Sequence, residues 1–365
     1  MPNTITNRQM FLILFMTISI SSVEIPKVAA QSVGRSGWVT ILLTALLFSA
    51  VAYLWARLNS LHQEKMLYDY SKELVGSVGA YFLGVYFAQY FITMFVAMGL
   101  SMSNLLQVNF LPKTPPWVTS LALLPVIGFI ANKGVTNTAR LVEIYSAILI
   151  VTALTVNIIM LMQGDTYYIL PLFNAAETGT ILSSVKEFIF SFLGVEVLAM
   201  IPFTKKTSPK AGFTAVAAIL LVGMWYVLNT EACIMMIGVD EVVHYNFPWI
   251  MAFRQVEIPL LKVFQRIDLM FVPVGFIGVF AGMSVIYLGI VEFMCRMLPK
   301  VKRYWVVMAV GAVIFLIEVI LTGINNIQSI MKNYLTYSGV FIAAIVPLVL
   351  LILTKVKNHG RKKSA

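Results

Sequence analysis

Ten stretches of this chain are apolar over lengths that match or approach the roughly 20 residues a helix needs to cross a bilayer. They run near 9–30, 38–56, 77–106, 117–131, 141–162, 181–203, 212–233, 264–293, 304–323 and 335–354, each bounded by charges or turn residues. A backbone in hydrocarbon must satisfy its own polar groups, so only helices and closed barrels can span. Barrel strands would be about ten residues long and alternate polar with apolar, whereas these runs are apolar throughout. The fold class that follows is an all-α integral membrane protein with ten transmembrane helices. Composition agrees: 59% of the 365 residues are hydrophobic and 12% charged, with a mean hydropathy of +0.88. Soluble, disordered and coiled-coil folds are excluded. No soluble domain is expected, and residues 1–365 read as a single transmembrane domain.

The formal charge of +10 raises the question of nucleic acid, which the positions of the basic residues answer. With the N-terminus placed inside, eighteen of the 26 Lys and Arg residues fall on the inner side. They include Arg8, Arg57, Lys133, Lys205, Arg296, Arg303 and the tail cluster from Lys355 to Lys363. This bias is the positive-inside rule, and an even number of spans puts both termini in the cytoplasm. No nucleic-acid partner is implied. The basic tail, 355–365, reads as a cytoplasmic topology anchor within reach of anionic membrane lipid. Glu24, Pro26 and Lys27 stand where a signal peptide would carry a small-residue cleavage site, so no cleavable leader is expected.

Intramembrane ionisable groups are expensive, and they locate function. Glu24 closes the serine-rich patch Ser19-Ile20-Ser21-Ser22 in the first span and is followed by Pro26. Proline removes a helical hydrogen bond, so a broken helix is one reading and an ordinary proline kink the other. Span six repeats the combination, with Gly194, Glu196 and Pro202. Spans one and six each open a group of five. This suggests a repeat, about 9–162 and 181–354, with a binding site between two discontinuous helices. In span three Tyr86, Tyr90 and Met94 share a helical face, either as a pocket wall or as plain packing. In span eight Arg266 and Asp268 lie two apart and therefore point differently. Gly275, Gly278 and Gly282 there form a small-residue face suited to close helix approach.

Catalysis finds no support. His62, His244 and His359 lie outside the apolar runs without metal-ligand spacing, and Cys233 and Cys295 have no partner pattern. No nucleotide loop, nucleophile elbow or zinc helix is present, so neither enzyme activity nor a cofactor is expected. The segment from Gly238 to Lys262, with Trp249 and Phe253, is expected to hold a short interfacial helix outside the membrane, acting as a partial lid.

Several short motifs recur in a fixed order: Ile5-Thr6-Asn7-Arg8-Gln9, Ile25-Pro26-Lys27, Gly37-Trp38, Lys113-Thr114-Pro115, Gly134-Val135-Thr136, Ala139-Arg140-Leu141, Phe192-Leu193-Gly194-Val195-Glu196, Phe247-Pro248-Trp249 and Gln265-Arg266-Ile267-Asp268. In order and spacing they resemble the B-subunit family of bacterial spore germinant receptors, within the amino acid/polyamine/organocation transporter superfamily. The resemblance implies a LeuT-like fold of five plus five inverted helices, with spans one and six broken. It implies a small germinant, an amino acid, bound where those breaks meet spans three and eight. It also implies a complex with an A subunit and a lipoprotein C subunit in the spore inner membrane. By position the pocket residues are Ser21, Ser22, Tyr90, Met94, Leu193, Gly194 and Ala281, with Glu24, Pro26, Glu196, Arg266 and Asp268 structural or gating. For Glu196 the structural role is preferred, bonded to amides of its own break or to a span-one hydroxyl. This chain departs from the family at Ser19-Ile20-Ser21, where Gly-x-Gly is common, at Glu24, where many members are neutral, and at Gln265, which replaces an acid. The alternatives are an ion-coupled secondary amino-acid transporter and a structural subunit with a vestigial pocket.

Overall fold

The computed structural model describes residues 5–256, 268–324 and 326–363, and all regular structure among them is helical. The elements are α1 (Asn7–Ile18), α2 (Ile25–Ser32), α3 (Gly37–Leu61), α4 (Leu67–Asn109), α5 (Pro116–Asn132), α6 (Val135–Gln163), α7 (Thr178–Phe192), α8 (Ser208–Ile237), α9 (Val239–His244), α10 (Pro248–Arg254), α11 (Asp268–Met297), α12 (Arg303–Leu321), α13 (Ile327–Val340) and α14 (Val346–Lys363). Among the described residues, seven helices are long and apolar enough to cross a membrane, and the bent pair at the N-terminus makes an eighth. Pro116–Asn132 is apolar but shorter, and Thr178–Phe192 is followed by the 3₁₀ turn Val195–Met200. Several helices outrun their hydropathy windows. α6 begins at Val135, six residues before its apolar run, because a helix continues through the polar layer where a hydropathy window ends.

Local chemistry explains the breaks. α1 starts on a capping box, in which Thr6 and Gln9 satisfy each other's backbone amides. Its regular turns end at Ile18, residues Ser19–Val23 form a 3₁₀ turn, and α2 restarts with Pro26 in its first turn. There the missing amide costs nothing. The two arms meet at 59°. α7 ends at Phe192, and Gly194 then takes φ +121° before the 3₁₀ turn. A side chain at that φ is strained, and its Cβ would stand 3.0–3.1 Å from Ile18 and Thr17, so the residue is glycine for both reasons.

The broken segments lie in the middle of a bundle. α3 packs on α8, α11 on α4 and α6, and α12 on α5, while α1 touches α8, α11 and α6. Gly282 of α11 brings that helix onto α1, where a Cβ would collide with Ile20 and come within 3.2 Å of the Met16 carbonyl. Gly278 does the same against Leu149 of α6. Gly282 and Gly278 thus serve close packing, whereas Gly275 faces open space beside two cavities. Where α11 ends and α12 begins, the buried Glu292 carboxylate pairs with Arg296 and Arg303, each at 2.7 Å. Arg296 also reaches Asp69 of α4 at 3.2 Å, and Arg303 donates to the Ala131 carbonyl of α5 at 2.8 Å. Four helices are tied at one end by this network.

Among its described residues, 238–256, the segment from Gly238 holds two short helices, α9 and α10, where one surface helix is expected; residues 257–262 lie outside the described residues. Phe247, Ile250, Ala252 and Phe253 are buried, so the segment is packed into the bundle. Trp249 donates to Asn157 at 3.2 Å, and Asn157 donates to Asn229 at 2.6 Å, which fastens α10 to α6 and α8.

Candidate functional site

Where α1 and α7 stop, their last carbonyls lose their helical partners, and a free carbonyl in an apolar interior costs about 1–3 kcal/mol. One residue answers for both. The Tyr226 hydroxyl of α8 lies 2.5 Å from the Ile18 carbonyl and 2.8 Å from the Ser191 carbonyl, and shares its proton between the two breaks. Its neighbour Trp225 donates to the Ser22 hydroxyl at 3.1 Å, which in turn donates to the Ser19 carbonyl. Below the second break, Asn59 of α3 donates to the Leu198 carbonyl at 2.6 Å and accepts from Tyr70 at 3.1 Å.

Glu196 is fully buried. Its carboxylate accepts from the Gly194 amide at 2.9 and 3.0 Å and from the Tyr90 hydroxyl of α4 at 2.6 Å. The amide belongs to its own break, and the hydroxyl comes from span three instead of span one. Glu196 and Tyr90 therefore brace the second break against α4.

Beside the first break is a partly open cavity. Ser21 and Glu24 border it from the break, and Leu193 borders it from the second break. The α4 wall carries Met94, Ala97, Met98 and Ser101, and Phe190, Phe247 and Leu335 complete the apolar lining. The Glu24 carboxylate is acted on by the Ser101 hydroxyl and by the ammonium groups of Lys332 and Lys27. Lys332 lies 5.7 Å over the Phe190 ring, and Lys27 donates to Asn246 at 3.0 Å, next to the lining residue Phe247. Among the described residues no group of acids, histidines and cysteines has the arrangement of a metal site. The cavity thus presents one carboxylate, two serine hydroxyls and a methionine-rich wall, with Lys332 and Lys27 acting on that carboxylate from outside the lining. This suits a small ligand that carries both charges and an apolar body.

The residues singled out from sequence fall into distinct places. Ser21, Met94, Leu193 and Glu24 share the cavity. Ser22 borders a neighbouring cavity with Trp225 and Trp249. Tyr90 and Gly194 lie behind the wall, bonded to Glu196. Pro26 and Ala281 are buried in packing. Arg266 lies outside the described residues, as does the side chain of Asp268, whose backbone opens α11. Sequence reasoning passed over Trp225 and Tyr226, an aromatic pair in the middle of span seven. It also passed over acids inside apolar runs, Glu231 and Glu318 among them, although their charge alone marks them.

The profile of the spore germination protein family matches residues 4–327. Spore germination protein YndE of Bacillus subtilis is 23% identical over 340 residues, 92% of this chain and 91% of that protein. Spore germination protein GerLB of Bacillus cereus is 21% identical over 346 residues, 94% of this chain and 92% of that protein. Spore germination protein A2 of Bacillus subtilis is 24% identical over 222 residues, 61% of this chain and 60% of that protein. Among solved structures, MhsT in complex with L-phenylalanine superimposes with a TM-score of 0.66 at 11% identity, covering 94% of this chain and 98% of that one. That likeness gives the fold, which is LeuT-like. A membrane bundle of this fold, matched by the family profile over most of its length, belongs to the spore germination protein family.

Proposed function

We propose that this chain is a transporter-like membrane subunit of a nutrient germinant receptor, which binds a small germinant at the broken spans and passes the change to partner subunits. The observation that carries the reading is the cavity itself, bordered by both breaks and by α4. The opposed charges of Glu24 and of Lys332 and Lys27 suit the ammonium and carboxylate of an amino acid, and the methionine wall suits its side chain. Counting Pro116–Asn132 and the broken segment Thr178–Met200 as spans gives ten, in two inverted groups of five, with both termini on the cytoplasmic or core side. The partners are an A subunit and a lipoprotein C subunit in the spore inner membrane. Membership of the family supports each of these statements. Germination of a deletion strain against a panel of amino acids and other nutrients tests the reading. The expected result is loss of response to one amino acid with the remaining responses intact. An unchanged response to every nutrient, or amino-acid uptake by proteoliposomes containing this chain alone, contradicts it.

A further inference from the structure

Glu318, in the last turn of α12, is 2% exposed, and neither carboxylate oxygen has a hydrogen-bond partner. α12 packs against α5, α11 and α4, and the side chain points at the α4 backbone. A Cβ built at Gly99 would land on its carboxylate oxygen and stand 3.3 Å from its carboxyl carbon. The glycine thus makes a cradle for the acid. The other wall is the Met283 side chain of α11, 3.8 Å from the same position. The polar group facing the carboxyl is the Ser120 hydroxyl of α5, which does not reach hydrogen-bond geometry with it.

Charge balance decides what such a side chain carries. On α12 the basic residue is Arg303, fifteen positions away and so about 22 Å along the axis, where it is held by Glu292. On α11 the Tyr287 hydroxyl is engaged elsewhere, donating to the Val307 carbonyl, eleven positions before Glu318, at 2.7 Å. On α5 the facing group is the neutral Ser120, and on α4 it is Gly99. Among the described residues no charged side chain acts on Glu318. An isolated carboxylate in such a place costs many kcal/mol unless it is neutralised. A sodium or potassium ion needs several oxygen ligands, and one hydroxyl beside thioether and glycine does not supply them.

We propose that Glu318 is an exchangeable proton site. It is held as a carboxylic acid between α12 and α4, and its proton exchanges with water. The site lies on the flank of the helix whose other face, Met94, Ala97, Met98 and Ser101, walls the cavity. One rigid element therefore touches both the cavity and the proton site.

Infrared spectroscopy of the full chain in lipid nanodiscs tests this without any ligand. The wild type is expected to show a protonated-carboxyl C=O band at neutral pH that shifts in heavy water and is lost in Glu318→Gln. Gly99→Ala, which retains the acid but fills its cradle, is expected to weaken the band, with unchanged helical content by circular dichroism verifying the fold of both variants. A C=O band identical in wild type and Glu318→Gln overturns the proposal. So does a Glu318 band that disappears on adding sodium or potassium chloride at constant pH, which would make the site a cation site.

Discussion

The Tyr90 hydroxyl donates to Glu196 Oε1 at 2.6 Å, and this bond joins the third span to the break in the sixth. Removing one partner of a buried hydrogen bond costs about 1–3 kcal/mol. Tyr90→Phe is therefore expected to lower the thermal unfolding temperature of the purified protein by several degrees. Glu196→Gln is expected to fall less than Glu196→Ala, because the amide oxygen still accepts from Gly194. Equal unfolding temperatures for wild type and Tyr90→Phe would show that the brace contributes nothing.

Tyr226 answers two backbone carbonyls with one hydroxyl. Removing that hydroxyl leaves the Ser191 carbonyl without its partner and the Ile18 carbonyl with only the 3₁₀ turn it opens, at about 1–3 kcal/mol. Tyr226→Phe should reduce membrane abundance and thermal stability more than Tyr81→Phe, an exposed tyrosine on α4. Matching losses in the two variants would contradict the stitching role.

Glu292 holds two guanidinium groups while itself nearly inaccessible. Its replacement by alanine leaves Arg303 with the Ala131 carbonyl alone and Arg296 with the more exposed Asp69, at a cost of about 2–3 kcal/mol once the partial exposure of the arginines is discounted. Asp69→Ala, which removes a more exposed partner, should cost well under half of that in the same denaturation assay.

The His62 ring stacks on Tyr70 at 4.6 Å, and burial pushes its imidazole below its ordinary value. The folded state thus favours the neutral ring. Its contribution to stability is complete above about pH 6.5 and is lost as pH falls through the lowered folded value. Wild-type protein should lose thermal stability between about pH 7.5 and about pH 5 more steeply than His62→Gln. Parallel slopes would remove His62 from the account.

The membrane class, the apolar runs and both breaks were legible in sequence, because hydropathy and the pairing of serine or glycine with an acid and a proline are local signals. What answers the breaks was not. Tyr226 and Ile18 are 208 positions apart, and no periodicity links a hydroxyl to a carbonyl at that distance. For the same reason Tyr90 read as a pocket residue on its helical face, although its hydroxyl is taken by Glu196. Gly194 read as a pocket residue, yet a side chain there presses on Thr17 and Ile18. It is therefore a poor place from which to block the cavity.

Ala97 is a better place, since it lines the cavity from α4 and is only partly buried. The most direct measurement is germination of deletion-strain spores complemented with wild type or with Ala97→Phe, against the amino acid whose response the deletion removes. With both proteins at equal abundance in the inner membrane, the wild type should restore the response, and Ala97→Phe should leave it at the deletion level. Ala97→Phe spores that respond at the wild-type amino-acid concentration would contradict ligand binding in this cavity.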